Sequence, residues 1–142
     1  MTMSRRWQAR LIAAYRAAWP GPEEAPPVAV AASVLPATTA ELAEKYAAYD
    51  FQRQTEGPSA SKPKGALNLT VRPSALSGML VSPVFRGDPD AVAEAILTDP
   101  GIAAADELVL FLPPAFGLEE NVRVLTDMAK TVGPALGWTP AE

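Results

Sequence analysis

Apolar positions along this chain fall into two kinds of pattern, and their alternation predicts its elements. From Ser4 to Ala18, the residues Trp7, Leu11, Tyr15 and Ala18 recur at helical spacing, with Arg6, Arg10 and Arg16 away from the stripe. This predicts a helix with those four residues turned inward. "WPGPEEAPP" stops it, because Pro20, Gly21 and Pro22 cannot continue a helix. "VAVAASVLPA", from Val28 to Ala37, is a short and nearly unbroken apolar run between breakers. A strand covered on both faces reads this way, as in a parallel sheet. A second helix then opens at Thr38, with Glu41 completing a capping box. Leu42, Tyr46 and Tyr49 form its inward stripe, and Glu41 and Lys45 stand as an i,i+4 pair.

Residues 57–78, "GPSASKPKGALNLTVRPSALSG", carry Ser, Pro, Lys and Gly with little periodicity and read as a long loop or insertion. "MLVSPVFRG", from Met79 to Gly87, is the second strand, with Pro83 pointing to an edge or a bulge. Asp88 caps the next helix, Pro89 takes its first position, and Val92, Ala95 and Ile96 face inward until "DPG" ends it. "DELVLFLPP" is the third strand, with a continuous apolar run from Leu108 to Leu112. In the last helix Leu118, Val122, Leu125, Ala129, Val132 and Leu136 recur at spacings of four and three. Glu119, Arg123 and Asp127 pair along its opposite face, and Gly137 suits the position just past its end.

The order is thus one helix followed by three strand–helix units. Such alternation means α/β architecture with parallel strands joined by right-handed crossovers. The 142 residues suit a single domain, 1–142, and with 49% apolar residues it can bury a core. Net charge is -4, and the four arginines Arg5, Arg6, Arg10 and Arg16 are too sparse for a nucleic-acid surface, so a solvated helix face is the plainer reading. There is no Cys and no His. Disulfides, thiolate nucleophiles, Cys/His metal sites and imidazole catalysis are therefore excluded. No apolar run reaches membrane-spanning length and no signal-peptide core is visible, so the expected setting is soluble and cytoplasmic, without membrane or metal.

Taken in order, "GDPDAVAEAIL", "ADELVLFLPP" and "FGLEENVRVLTDMAKTVGPALGW" resemble the C-terminal portion of luciferase-like FMN-dependent monooxygenases. The family's Gly-Thr/Ser-Pro-Glu step stands here as Gly87-Asp88-Pro89-Asp90, and its Asp-Glu-Leu strand as Asp106-Glu107-Leu108. "LIAAYRAAWPG" and "PPVAVAASVLPATTAELAEKYA" resemble the preceding helix, strand and helix start, with Ala37-Thr38-Thr39 in place of Ala-Asp-Thr. The resemblance implies a partial (β/α)8 barrel: the last three parallel strand–helix units preceded by one helix. A whole barrel needs about 250 residues. It also implies oxidation of an organic substrate by reduced flavin and O2, with FMN or a deazaflavin as cofactor. A chain of this length would need self-association or a partner supplying the missing strands. The alternative is a non-catalytic, truncated relative acting as an inert or dimerising module.

Barrel enzymes react at the carboxyl ends of their strands. Arg86 and Phe116 are the cofactor-binding candidates there: Arg86 for a flavin phosphate or an anionic substrate, Phe116 for packing on the flavin ring or on an aliphatic substrate. Each also has a plainer reading, an exposed loop arginine and a turn-fixing hydrophobic contact. Arg72, in the long loop, could reach over the mouth. Asp106 and Glu107 lie at the opposite end of their strand and are not a catalytic pair, and Glu119 and Glu120 suit the dipole of a first helical turn. No residue qualifies as catalytic.

Overall fold

The computed structural model describes residues 2–56 and 84–139. The expected loop 57–78 with Arg72, and residues 79–83 of the expected second strand, lie outside the described residues. Helix α1 (Thr2–Ala18) leads to strand β1 (Ala29–Pro36) and helix α2 (Ala40–Glu56). Strand β2 (Val84–Gly87) is followed by α3 (Pro89–Leu97) and a short α4 (Pro100–Ala103). Strand β3 (Glu107–Leu110) precedes α5 (Leu118–Asp127), which continues through π-helical turns at Met128–Val132 and a last α-turn at Gly133–Ala135. The π register sits just before Pro134. Proline lacks an N–H and clashes with the carbonyl four residues earlier; the widened turn relieves the clash, with the Gly133 N–H donating to Met128 O.

The sheet is wholly parallel, as the alternation implies, but its order is β2-β1-β3. Consecutive barrel units would lie side by side with the second strand central. Here the first strand is central, which is the order of an open, doubly wound sheet. The crossover from β1 to β2 and the one from β2 back past β1 to β3 run in opposite directions. Right-handed connections then put their helices on opposite faces. Packing agrees. On one face Val92, Ala93 and Ile96 of α3 and Met128 and Val132 of the π turns cover Ala32, Val34 and Phe85. On the other, Leu42 and Tyr46 of α2 pack with Leu35 and Ala37. The register pairs Val34 with Phe85 and Leu35 with Arg86, so each pair shares a face.

Several expected details move. Thr39 rather than Thr38 caps α2: its Oγ1 accepts from the Leu42 N–H at 3.3 Å. The "DPG" step does not simply end a helix, because buried Asp99 accepts from the Gly101 and Ile102 N–H groups and starts α4. Lys45 leaves Glu41 for Glu120, and Arg123 pairs with Glu120 rather than along the Glu119–Asp127 line. The two largest corrections concern helix faces. Among the described side chains of α1, Ile12 is the buried one, and Trp7, Leu11 and Tyr15 remain 47%, 52% and 39% exposed. In α5, Leu118, Val122 and Leu125 are exposed, and the buried line is Val124, Met128 and Val132. That helix carries two apolar lines about a quarter-turn apart at 3.6 residues per turn. The sheet takes one, together with Val132 and Leu136 of the expected stripe, and leaves Leu118, Val122 and Leu125 open.

Gly87 closes β2 with φ at +118°, and Gly137 ends the last turn at +81°. The Gly137 and Trp138 N–H groups return to Pro134 O and Gly133 O at 3.0 and 2.9 Å, a left-handed helix stop. Nothing lies within 4 Å of a Cβ added at Gly87, so its constraint is purely the backbone angle. Gly87→Ala should therefore cost about 1–2 kcal/mol, read as a lowered urea midpoint.

Candidate functional site

In an open parallel sheet, ligand chemistry gathers beyond the carboxyl ends of the strands. Here those ends are Ala37 to Thr39, Gly87 to Asp88, and Phe111 to Gly117. Helix α2 draws residues from both outer strands together. Arg86, on the α2 side of β2, donates from Nε to Asp50 Oδ2 at 2.9 Å. Phe116 stacks on Tyr46 with ring centroids 5.8 Å apart and 23° between planes, and meets Tyr49 at 4.9 Å. Lys45 Nζ stands 5.4 Å from the Phe116 centroid. The Asn121 side-chain amide donates to Pro113 O at 3.3 Å and Phe116 O at 3.0 Å, fixing the turn before α5.

Glu120 is the hub. Lys45 Nζ donates to its Oε2 at 2.6 Å, Tyr46 OH to its Oε1 at 3.2 Å, and Arg123 also pairs with Oε2. The Arg123 hydrogen bond is the main cause holding its carboxyl down at about 2, with Lys45 adding to it against the effect of burial. Burial pushes the Tyr46 phenol up to about 12, and the neighbouring Glu120 carboxylate adds to the shift. Burial likewise raises Tyr49. A carboxylate this acidic is a weak base, and a phenol this basic is a weak acid, so neither suits proton transfer near neutral pH. The cluster ties α2 to α5.

Glu120 titrates lower in the fold than its ordinary 4.5, so its contribution is complete above that value and drains away as pH falls towards 2. Lys45 and Arg123 are nearly half exposed, and water screens them, so the contribution is about 1 kcal/mol. Glu120→Gln should lose that amount at neutral pH and flatten the stability curve between pH 4.5 and 2, as followed by urea unfolding at several pH values.

Of the two candidates from the sequence, Arg86 lies near the end of β2 and Phe116 six residues past β3, in the turn before α5; both are on the α2 side and both are engaged. Asp50 neutralises Arg86, and the Phe116 ring is occupied by the two tyrosines. As they stand they do not fit a flavin, which needs an unneutralised donor for its phosphate and an open ring face. The sequence reading missed Asp50, Lys45 and the hub role of Glu120. Only spatial proximity marks them, since Lys45 and Glu120 are 75 residues apart. Asp106 accepts from the Val28 N–H at 2.8 Å and from Arg16 at 2.7 Å, and these bonds hold its pKa below the usual range. It joins the end of α1 to the starts of β1 and β3, at the end of the sheet away from the candidate site.

Apolar surface is the other feature of note. On the α2 side of the sheet, α2 covers Leu35, but Ala29, Ala31, Val109 and Phe111 are exposed. The register sets Ala31 beside Val109, so these residues form one patch. On the opposite side, a groove of about 500 Å³ is lined by Leu108, Leu110, Leu125, Met128, Leu136 and Trp138 among others. Among the described residues no helix is long and apolar enough to cross a membrane, and no group of three or more His, Cys, Asp or Glu residues could hold a metal ion.

Among the described residues, fold and site together define a three-stranded parallel α/β unit with one sheet face half covered. The chain matches no protein-family profile, no curated protein and no solved structure.

Proposed function

We propose that this chain is an assembly subunit: a non-catalytic α/β unit whose open surface is completed by another copy or by a partner chain, in the cytoplasm. The observation that carries this reading is the bare patch formed by Ala29, Ala31, Val109 and Phe111. Contiguous exposed apolar surface marks an interaction site. Among the described residues β3 also has no strand on its outer side, and an open edge invites pairing. Hydroxyl-radical footprinting at rising protein concentration tests this. Oxidation of Phe111 should fall as chains associate, with buried Phe85 as the internal reference. Unchanged Phe111 oxidation would remove self-assembly through this patch and leave only a different partner chain to cover it.

The flavin-dependent monooxygenase reading has support of its own in the position of Arg86, near the carboxyl end of β2, and of Phe116, in the turn that follows β3. In that reading a partner supplies further strands, and Arg86 and Phe116 exchange their present neighbours for FMN. Titration with FMN followed by flavin fluorescence tests it. Saturable quenching by the assembled protein supports the reading, and flat fluorescence with a folded protein removes it.

A further inference from the structure

Among the described residues two apolar surfaces lack a cover, and they match each other. The first is convex. Helix α1 turns Ile12 inward and leaves Trp7, Leu11 and Tyr15 exposed, with exposed Arg6 and Arg10 alongside. The second is flat: the sheet patch of Ala29, Ala31, Val109 and Phe111, bordered at its amino end by exposed Glu107. Strand alternation places Glu107, Val109 and Phe111 on one face. Trp7 to Tyr15 spans about 12 Å at 1.5 Å per helical residue, enough to cover Val109 and Phe111, about 7 Å apart at 3.3 Å per strand residue, and to reach the bordering Glu107.

Their charges agree as well. Thr2–Ala18 holds four arginines and no acidic residue, so of the chain's 12 basic and 16 acidic residues the remainder has 12 - 4 = 8 basic and 16 acidic. The helix is cationic and the body it would meet is acidic. Within one chain the two surfaces do not meet: α1 packs on α4, its Arg16 is paired with Asp106, and both apolar surfaces stay exposed.

We propose that two copies of this chain exchange these surfaces about a two-fold axis, the α1 stripe of each covering the open sheet patch of the other and its arginines facing Glu107. The inference rests on the assembly reading and names the partner and the docking element. Reciprocal contact of this kind uses both surfaces twice and closes at a dimer.

Charge reversal with complementation tests it. Arg6→Glu/Arg10→Glu and Glu107→Arg are made separately, and mass is followed by light scattering. Each variant alone should dissociate at least ten-fold more readily than the wild type, because like charges then face each other across both contacts. An equimolar mixture should recover the two-chain mass, since each contact again pairs opposite signs. Trp7→Ser/Leu11→Ser should give a single-chain mass with an unchanged far-UV circular dichroism spectrum. Should the wild type associate while the α1 variants associate equally well, the exchange is overturned and the assembly reading stands on another surface. A monomeric wild type would overturn the exchange and confine the assembly reading to a different partner chain.

Discussion

Leu35→Ala should lower the free energy of unfolding by about 3 kcal/mol, the typical cost of cutting a fully buried leucine to alanine. Leu35 lies on the central strand, is 0% exposed, and packs with Leu42 and Tyr46 of α2 and Val124 of α5. It is where the second core cluster meets the sheet. The loss combines the transfer term with a cavity that the paired main chains of β1 and β2 cannot close. A small domain has only about 5–15 kcal/mol of stability in total, so this one change removes a large share. Urea unfolding measures it, with Leu97→Ala as the comparison. Leu97 is 61% exposed, and its truncation should shift stability by no more than about 0.5 kcal/mol.

Phe111→Asp should have the opposite profile, with little effect on the single chain and a large one on association. The Phe111 ring is 47% exposed on the open half-face, so an aspartate there remains solvated in the free subunit. Once the patch is covered, the same carboxylate would be stripped of water against Val109 and Ala31 without a partner, at a cost of several kcal/mol. A rise of about 100-fold or more in the dissociation constant corresponds to about 2.7 kcal/mol. Sedimentation equilibrium reads it directly, and an unchanged circular dichroism melt would confirm that the fold is retained. A destabilised monomer with unaltered association would place Phe111 in the subunit's own core, contrary to the description above.

The parallel α/β class was legible in the sequence because it depends on local signals. The apolar run of β1, the Asp88-Pro89 helix start and the breaker at Gly137 each act within a few residues, and each appears where expected. Strand order was not legible. Sequential alternation is the same for a barrel and for a doubly wound sheet, and only the direction of the second crossover separates them. The choice of helix face was lost for a related reason. Periodicity shows that α1 and α5 have apolar lines, but not which line the sheet has room to cover. Trp7, Leu11 and Tyr15, like Leu118, Val122 and Leu125, read as core and are surface.

The candidate site divides in the same way. Arg86 was legible at the end of β2 because the Gly87-Asp88-Pro89 step fixes that limit, whereas β3 ends at Leu110, six residues before Phe116. Their engagement by Asp50 and by Tyr46 and Tyr49 depends on how α2 lies across the sheet, which no short-range pattern records. Glu120 read as a helix-dipole residue for the same reason, although its partners Lys45 and Tyr46 come from α2. What the sequence counted as core in α1 and the structure leaves exposed is also what gives the chain a surface to offer.

The most direct test is the solution mass of the wild-type chain, followed by light scattering through a dilution series. Coverage of the open sheet patch by a second copy predicts a two-chain mass at high concentration that falls to the single-chain value on dilution. A single-chain mass throughout, from a folded protein kept apart from any partner, would contradict self-assembly.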